Sequence, residues 1–217
     1  MEQLRHWGFI MVLGVLLTGC TTTNERPGDA LWQCDPEGDA AVAAGEWQRG
    51  LIAHEHLLAG DPSNSLALFH LGYIWGELDD RQKEIDFYQR AVACGYDQDD
   101  RLFFNMGMAY AALEQVDAAL GALERAVGLG PDHADNYFGL GLVAGQAGLA
   151  QQAIMALQQA IVLDPGHLEA RVELIGLYLD HSRWEDARRQ LIDLEQRDPQ
   201  NIELPVLWEI LQRRWMD

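Results

Sequence analysis

Few residues of this sequence have the types and spacing that catalysis requires. The segment Gly139-Leu140-Gly141-Leu142-Val143-Ala144 has the glycine spacing of a dinucleotide-binding turn, but such a turn follows a β-strand. Here the segment lies within a predicted helix, where its glycines indicate helix packing. The three serines, Ser63, Ser65 and Ser182, do not occur in the Gly-x-Ser-x-Gly turn that exposes a nucleophile. We therefore predict no catalytic residue and no cofactor, and we do not expect an enzyme.

The candidate metal ligands are also poorly placed. His54 and His56 are two residues apart, so they point to different sides of a helix, and no His-Glu-x-x-His zinc motif occurs. His133 and His167 are 34 residues apart and lack a third ligand. The acidic run at residues 97–100 lacks the glycine and glutamate of a calcium loop and is better explained as a helix cap. No metal site is predicted.

The prolines indicate which elements position these residues. Pro131, Pro165 and Pro199 are 34 residues apart, and Pro62 precedes Pro131 by two such steps plus one residue. A fixed period of this length, with a helix-terminating proline at each boundary, is typical of a helical repeat array. The four repeats defined by this period are residues 65–99, 100–133, 134–167 and 168–201.

The same residue types recur at fixed positions of the four repeats. Positions 4, 7, 8 and 11 form one stripe of an α-helix, and position 8 is a glycine in three of the repeats: Gly72, Gly107 and Gly141. The second half of each repeat has a small residue at position 20, where the first repeat instead has Glu84. Each repeat is therefore predicted to be a helix–turn–helix in which the glycines allow the second helix to approach the first closely.

This pattern resembles that of the tetratricopeptide repeat family, which has at fixed positions a large residue, Leu, Gly, Tyr, Ala, an aromatic residue, Ala and Pro. The resemblance covers residues 65–201. The resemblance implies an all-α fold, a right-handed α-solenoid of helix–turn–helix repeats. Residues 38–64, in which Trp47 aligns with Trp184, are predicted to be a degenerate further repeat. Residues 202–217 are predicted to form a C-terminal capping helix, so that the solenoid covers residues 38–217.

The amino-terminal segment has the features of an export signal. Residues 9–17 are an unbroken apolar run that is too short to span a bilayer but has the length of a secretory signal. The run ends in Leu17-Thr18-Gly19-Cys20, which resembles the bacterial lipobox. The resemblance implies that residues 1–19 are removed as a lipoprotein signal peptide and that Cys20 is acylated. The alternative is an ordinary cleaved signal peptide with an incidental cysteine.

Residues 20–37 are predicted to be a tether between the lipid and the repeats, because they contain three threonines, two prolines and few apolar residues. By resemblance to bacterial lipoproteins, Thr21 directly after the cysteine implies anchoring in the outer membrane, facing the periplasm. At ~3.5 Å per extended residue the tether reaches no more than ~60 Å, so the repeats are expected to work close to the membrane.

The net charge of the chain excludes some classes of binding partner. The chain has 34 acidic against 15 basic residues, a net charge of −19, and Lys83 is its one lysine. Such a field repels phosphate backbones and anionic lipid surfaces. We therefore expect no nucleic acid partner, and contact with the membrane only through the lipid.

The two remaining cysteines are Cys34, where the chain joins the array, and Cys94, at the end of the second helix of the first repeat. In an oxidising periplasm they are a candidate disulfide pair, and a bridge between them would pin the joint to the array. The alternative is two unpaired thiols, because sequence alone does not place their Cβ atoms within bonding range.

In the tetratricopeptide repeat family the first helix of each repeat lines a concave surface, and positions 2, 5, 9, 12 and 13 face the ligand. Carried over to this sequence, these positions imply a groove for an apolar or aromatic segment of another protein. The alternative is that tight superhelical winding or the tether already covers these side chains. Of the Lys, Arg and Asn set with which some family members bind a peptide carboxylate, only Asn105 is present. The predicted groove residues are Phe69, Tyr73, Arg101, Phe104, Met108, Phe138, Leu142 and Val172.

The order of signal, lipid, tether and repeats resembles that of pilotin-type and other envelope-assembly lipoproteins. The resemblance implies an outer-membrane-anchored periplasmic scaffold or assembly factor, for example in type IV pilus or secretin assembly, with envelope proteins as partners and no small-molecule substrate. Two alternatives remain open: a periplasmic chaperone with many unfolded clients, and an adaptor for murein hydrolases or proteases.

Overall fold

The computed structural model describes residues 35–216, which form a series of short α-helices joined by turns. The described part contains no β-strand. None of its helices is both long and apolar enough to cross a bilayer. The helices are α1 (Pro36–Ala43), α2 (Trp47–Gly60), α3 (Ser65–Glu77), α4 (Arg81–Ala93), α5 (Asp100–Ala112), α6 (Val116–Leu129), α7 (Ala134–Gln146), α8 (Ala150–Leu163), α9 (Leu168–Asp180), α10 (Trp184–Arg197) and α11 (Leu204–Met216).

The helices are arranged as helix–turn–helix pairs. Helices α3, α5, α7 and α9 begin at the first residues of the four sequence repeats, and each packs against the helix that follows it. The turn within each pair has one residue with a left-handed backbone at position 15 of its repeat, the conformation that commonly ends a helix. These residues are Asp79, Glu114, Gly148 and Ser182, with φ of 62°, 59°, 75° and 57°.

The pairs stack into a curved array. Each odd-numbered helix from α1 to α9 contacts the next odd-numbered helix as well as its neighbours in sequence. Within the described residues, the even-numbered helices contact only their neighbours in sequence. Because one layer is therefore closer together than the other, the array curves towards the odd-numbered helices. We refer to α3, α5, α7 and α9 as the first helices.

The glycines at position 8 allow close packing within the first three repeats, as the sequence predicted. A Cβ atom added to Gly107 would lie 2.6 Å from the Leu123 Cγ, and one added to Gly141 would lie 2.7 Å from the Leu157 Cγ. Both leucines are fully buried at the centre of their second helices. Any side chain at these glycines would therefore push the two helices of a repeat apart.

The two ends of the array differ from its centre. At the amino-terminal end α1 and α2 form a shortened pair, and α1 begins at Pro36 with the Asp35 side chain accepting hydrogen bonds from the Glu37 and Gly38 amides. Residues 36 and 37 therefore belong to the helical array rather than to the predicted tether. At the other end α11 contacts both α9 and α10, and it buries Leu204, Leu207 and Leu211 in the last apolar core.

Candidate peptide-binding surface

The predicted groove residues all lie on the first helices. Phe69 and Tyr73 are on α3, Phe138 and Leu142 are on α7, and Val172 is on α9. The other three, on α5, are Arg101, Phe104 and Met108. Residues four apart are neighbours on one helix face, and α3, α5, α7 and α9 follow one another along the inner layer of the array. The structure thus gathers these positions on one layer.

Five of these side chains are partly exposed, and we refer to them as the apolar row. Phe104 connects two repeats, because a Cβ added to Gly139 of α7 would lie 2.9 Å from its ring. Phe138 is 4.6 Å from the His167 ring, measured between centroids. Phe104 and Phe138 therefore each have one side packed on the array and another side accessible to a partner. The apolar row consists of Tyr73, Phe104, Met108, Phe138 and Leu142.

Phe69 and Val172 are not surface residues, so their prediction as exposed anchors of a groove is wrong. Phe69 is 3% exposed, and its ring stacks on Tyr96 with 4.9 Å between centroids. Tyr96 lies in the connection between α4 and α5, within the repeat that has one extra residue, and it folds over α3. Val172 is 8% exposed within the core formed by α8 to α11.

Arg101 is exposed, but its charge is already paired. Its guanidinium donates to both carboxylate oxygens of Asp99, with distances of 3.0 and 2.6 Å, and the Tyr96 hydroxyl donates to the same carboxylate at 2.9 Å. Although burial raises the pKa of Asp99, the hydrogen bond and charge of Arg101 keep it below its ordinary value. Arg101 is therefore part of a group of paired side chains that covers Phe69, with its guanidinium 6.0 Å from the centroid of that ring.

The carboxylates at the ends of this layer are partly desolvated. Burial raises the pKa of Glu77, the last residue of α3, against the lowering effect of Arg81. Burial also raises the pKa of Tyr73, and the Glu77 carboxylate raises it further. On α9, burial and then the charge of Glu203 raise the pKa of Glu173. The first and the last of these helices thus each carry a partly desolvated carboxylate that a basic group would stabilise.

Helix α9, the last of the first helices, leaves a gap in this surface. Gly176 occupies the position that Tyr73, Met108 and Leu142 occupy in the preceding repeats. A Cβ added to Gly176 would meet no atom within 4 Å. The surface is therefore open over α9, directly beyond the apolar row.

Asn105 has a structural role. Its side-chain amide donates to the Tyr88 hydroxyl at 3.2 Å, which joins α5 to α4 of the preceding repeat. The other positions of the carboxylate-binding set are occupied by Phe69, Tyr73, Asp135 and Gly139. The surface therefore lacks the basic set that binds a peptide carboxylate.

Three predicted residues bear on anchoring and covalent linkage. Cys20 and Cys34 lie outside the described residues, as does the signal at residues 1–19. Cys94 is half-buried at the C-cap of α4. The lipid and the Cys34–Cys94 bridge therefore stay predictions.

The structure also brings together three residues that the sequence pattern did not predict to be close to one another. Asp39, His54 and His70 meet between α1, α2 and α3, with the two imidazole centroids 4.6 Å apart. Burial, and to a lesser degree the nearby His70, lowers the pKa of His54 to about 4. A signal was present, because His54 shares the buried face of α2 with Gly50 and Leu51. A histidine on a buried face calls for a polar partner from another element.

Comparison with known sequences identifies the repeat. Residues 36–99 and 104–167 match one sequence model described as tetratricopeptide repeat. Residues 146–204 match a second model with the same description. None of the curated proteins matches the chain significantly in sequence.

Solved structures with similar folds have the same architecture. YrrB, described as a tetratricopeptide repeat protein with an unusual peptide-binding site, has a TM-score of 0.72 at 22% identity, over 79% of this chain and 88% of that chain. MamA from Desulfovibrio magneticus RS-1 has a TM-score of 0.70 at 17% identity, over 76% and 93%. PilF of Pseudomonas aeruginosa has a TM-score of 0.71 at 20% identity, over 83% and 82%. At sequence identities of this level, the similarity shows a shared fold.

Proposed function

Because this chain belongs to the tetratricopeptide repeat family, whose helix arrays are scaffolds for protein–protein interaction, we propose that it is an assembly factor of the bacterial envelope. In this role it holds an apolar segment of a partner protein against its first helices and has no catalytic activity of its own. The observation that carries the proposal is the apolar row, which runs across three consecutive first helices without being sealed in the core.

The partner segment is apolar and carries basic residues beside its apolar anchors. Glu77 stands one helical turn beyond Tyr73, and within the described residues its buried Oε1 accepts no hydrogen bond. A buried carboxylate oxygen of this kind is stabilised by an incoming donor, most strongly by a charged one. The net charge of −19 also favours the approach of a basic segment over an acidic one.

The proposal places the scaffold at the outer membrane, anchored through Cys20 and facing the periplasm. It is supported by the sequence order of apolar signal, lipobox-like segment, tether and repeats. Several acyl chains on one cysteine hold a protein firmly, whereas one chain gives only marginal binding. Among envelope processes we favour pilus or secretin assembly, in keeping with the pilotin-like layout and with the fold shared with PilF.

We expect Leu142→Asp to abolish capture of the partner without unfolding the array. Among the described residues, Leu142 belongs to none of the four apolar cores, so the substitution leaves the packing of the repeats intact. A central apolar anchor contributes about 2 kcal/mol or more, which is roughly a 30-fold loss of affinity. The measurement is photo-cross-linking in intact cells from a reactive residue at position 142, followed by identification of the linked protein.

Met155 provides the matched control. It is 61% exposed on α8, a second helix, so a cross-linker at 155 and the variant Met155→Asp test an equally apolar site on the other layer. One protein that is linked from position 142 and not from 155, and that co-purifies with the wild type and Met155→Asp but not with Leu142→Asp, supports the scaffold. A diffuse set of clients favours the chaperone, and equal linkage from both positions removes the apolar row as the binding surface.

Anchoring is tested separately with Cys20→Ala. We expect the wild-type protein to incorporate labelled fatty acid and to fractionate with the outer membrane, and we expect Cys20→Ala to lose both properties. Cys94→Ala, which removes a cysteine inside the repeats, is expected to keep both. A Cys20→Ala protein that stays in the outer-membrane fraction, or a wild type without label, would contradict the lipid anchor.

A further inference from the structure

A cluster of two histidines and one aspartate lies where the first three helices meet. Asp39 is on α1, His54 on α2 and His70 on α3. The Asp39 Oδ1 is 2.9 Å from the His70 Nδ1 and 3.5 Å from the His54 Nε2. One ligand atom from each residue lies within 4.8 Å of the other two. The three side chains thus converge on one point from three separate helices.

The histidines of this cluster are buried and incompletely bonded. The His54 residue is 1% exposed and the His70 residue 8% exposed. Neither nitrogen of the His54 ring makes a hydrogen bond with any other described residue. A buried imidazole that makes no hydrogen bond loses its hydration without full compensation. A ligand that accepts nitrogen lone pairs would remove this cost.

The spacing of the donor atoms suits a metal ion. Zinc binds histidine nitrogen and carboxylate oxygen at 2.0–2.2 Å, so two ligand atoms of a tetrahedral site are about 3.3 Å apart. The two distances from Asp39, 2.9 and 3.5 Å, lie on either side of this value. Imidazole ligands select zinc, copper, iron or nickel over magnesium and calcium, which prefer oxygen.

We propose that Asp39, His54 and His70 bind one divalent transition-metal ion of the Zn²⁺ class. Two imidazoles and one carboxylate supply three ligands, and the fourth position is open to water. The site joins three helices, and none of its three ligands belongs to the apolar row. Its effect is therefore structural, on the first pair of the array.

The helix that the ion would hold is the shortest in the described part of the solenoid. Helix α1 has 8 residues, fewer than an isolated helix needs to be stable in water. Its packing on α2 depends on close contact, because a Cβ added to Gly38 would lie 2.7 Å from the Ala53 Cβ. An ion shared by α1, α2 and α3 would fix α1 at the point where the predicted tether joins the array.

The direct test is metal binding by the purified full-length protein in detergent, after treatment with a chelator. Calorimetric titration with Zn²⁺ is expected to show one ion per chain. Co²⁺ is expected to give the visible absorption bands of a site with low coordination number. Zn²⁺ is also expected to raise the midpoint of thermal unfolding with increasing concentration, and to slow amide hydrogen exchange in α1.

Variants locate the site. His54→Gln and His70→Asn are each expected to weaken metal binding at least tenfold. Asp39→Asn tests the third ligand at a position that lies nearer the surface. His56→Gln is the matched control, since His56 is exposed on the same helix. Cys94→Ser excludes a thiol ligand and is expected to bind like the wild type.

Each outcome decides the proposal. Loss of the Co²⁺ bands in the three cluster variants, with helix content retained and binding unchanged in His56→Gln, supports the site. No bound ion in the wild type would overturn it and leave the cluster as a hydrogen-bonded contact between helices. Unchanged binding in His54→Gln and Asp39→Asn would also overturn it, by placing the ion elsewhere.

Discussion

The substitution Gly141→Leu is expected to lower the free energy of unfolding by about 3 kcal/mol, at the upper end of the effects of overpacking. Even the Cβ has no room, since it would lie 2.7 Å from the Leu157 Cγ and 3.2 Å from the Leu157 backbone nitrogen. A backbone atom cannot rotate away as a side chain can. The helices α7 and α8 would have to separate, which would open the core of the third repeat. Urea unfolding followed by circular dichroism measures the change.

Gly121→Leu is the matched control for this experiment. Gly121 lies within α6 and is exposed, and a Cβ added there would meet no atom within 4 Å. Because leucine is a better helix former than glycine, we expect this variant to gain a few tenths of a kcal/mol. If both variants had the same stability, the position-8 glycines would not be needed for packing.

The position-8 glycines also show why the repeat could be predicted from the sequence. Because each repeat packs in the same way as the next, the same residue types are required at the same positions and recur every 34 residues. Gly107 and Gly141 leave the room for the close approach of α5 to α6 and of α7 to α8. Helix pairs, turns and the buried stripe are local features and could be predicted for the same reason.

Features that occur only once along the chain were harder to predict. The burial of Phe69 depends on Tyr96, which lies in the irregular connection between α4 and α5 and has no counterpart in the other repeats. The cluster of Asp39, His54 and His70 combines residues from three helices. No period and no local spacing relates them, so only the packing of α1 on the array brings them together.

Glu84 is another such departure from the repeat, and it has a measurable consequence. It occupies the position at which the other repeats have an alanine, and it is 3% exposed beside Gly76. A Cβ added to Gly76 would lie 2.8 Å from the Glu84 Cδ, so the glycine leaves the room that the glutamate side chain occupies. The Arg81 guanidinium donates to the Glu84 carboxylate at 2.8 Å.

Burial raises the pKa of Glu84 from 4.5 to about 7, against the hydrogen bond and charge of Arg81, and the Glu77 charge adds to the rise. Below pH 4.5 the carboxyl is protonated in both the folded and the unfolded state. Between pH 4.5 and 7 the unfolded chain releases the proton while the folded protein keeps it, so stability falls as pH rises. Above pH 7 both states are ionised and the loss is complete, at about 3 kcal/mol.

We therefore expect Glu84→Gln to be more stable than the wild type at pH 8, by about 1–3 kcal/mol once the lost ion pair with Arg81 is included. The difference between the two proteins should shrink as pH falls and vanish near pH 4.5, because a protonated glutamate and a glutamine are alike in charge. Urea unfolding at pH 4.5, 6 and 8 measures this difference, and Glu195→Gln, at an exposed position on α10, is expected to show none of it. A Glu84→Gln protein that is less stable than the wild type at pH 8 would mean that the ion pair with Arg81 outweighs the cost of burying the carboxylate.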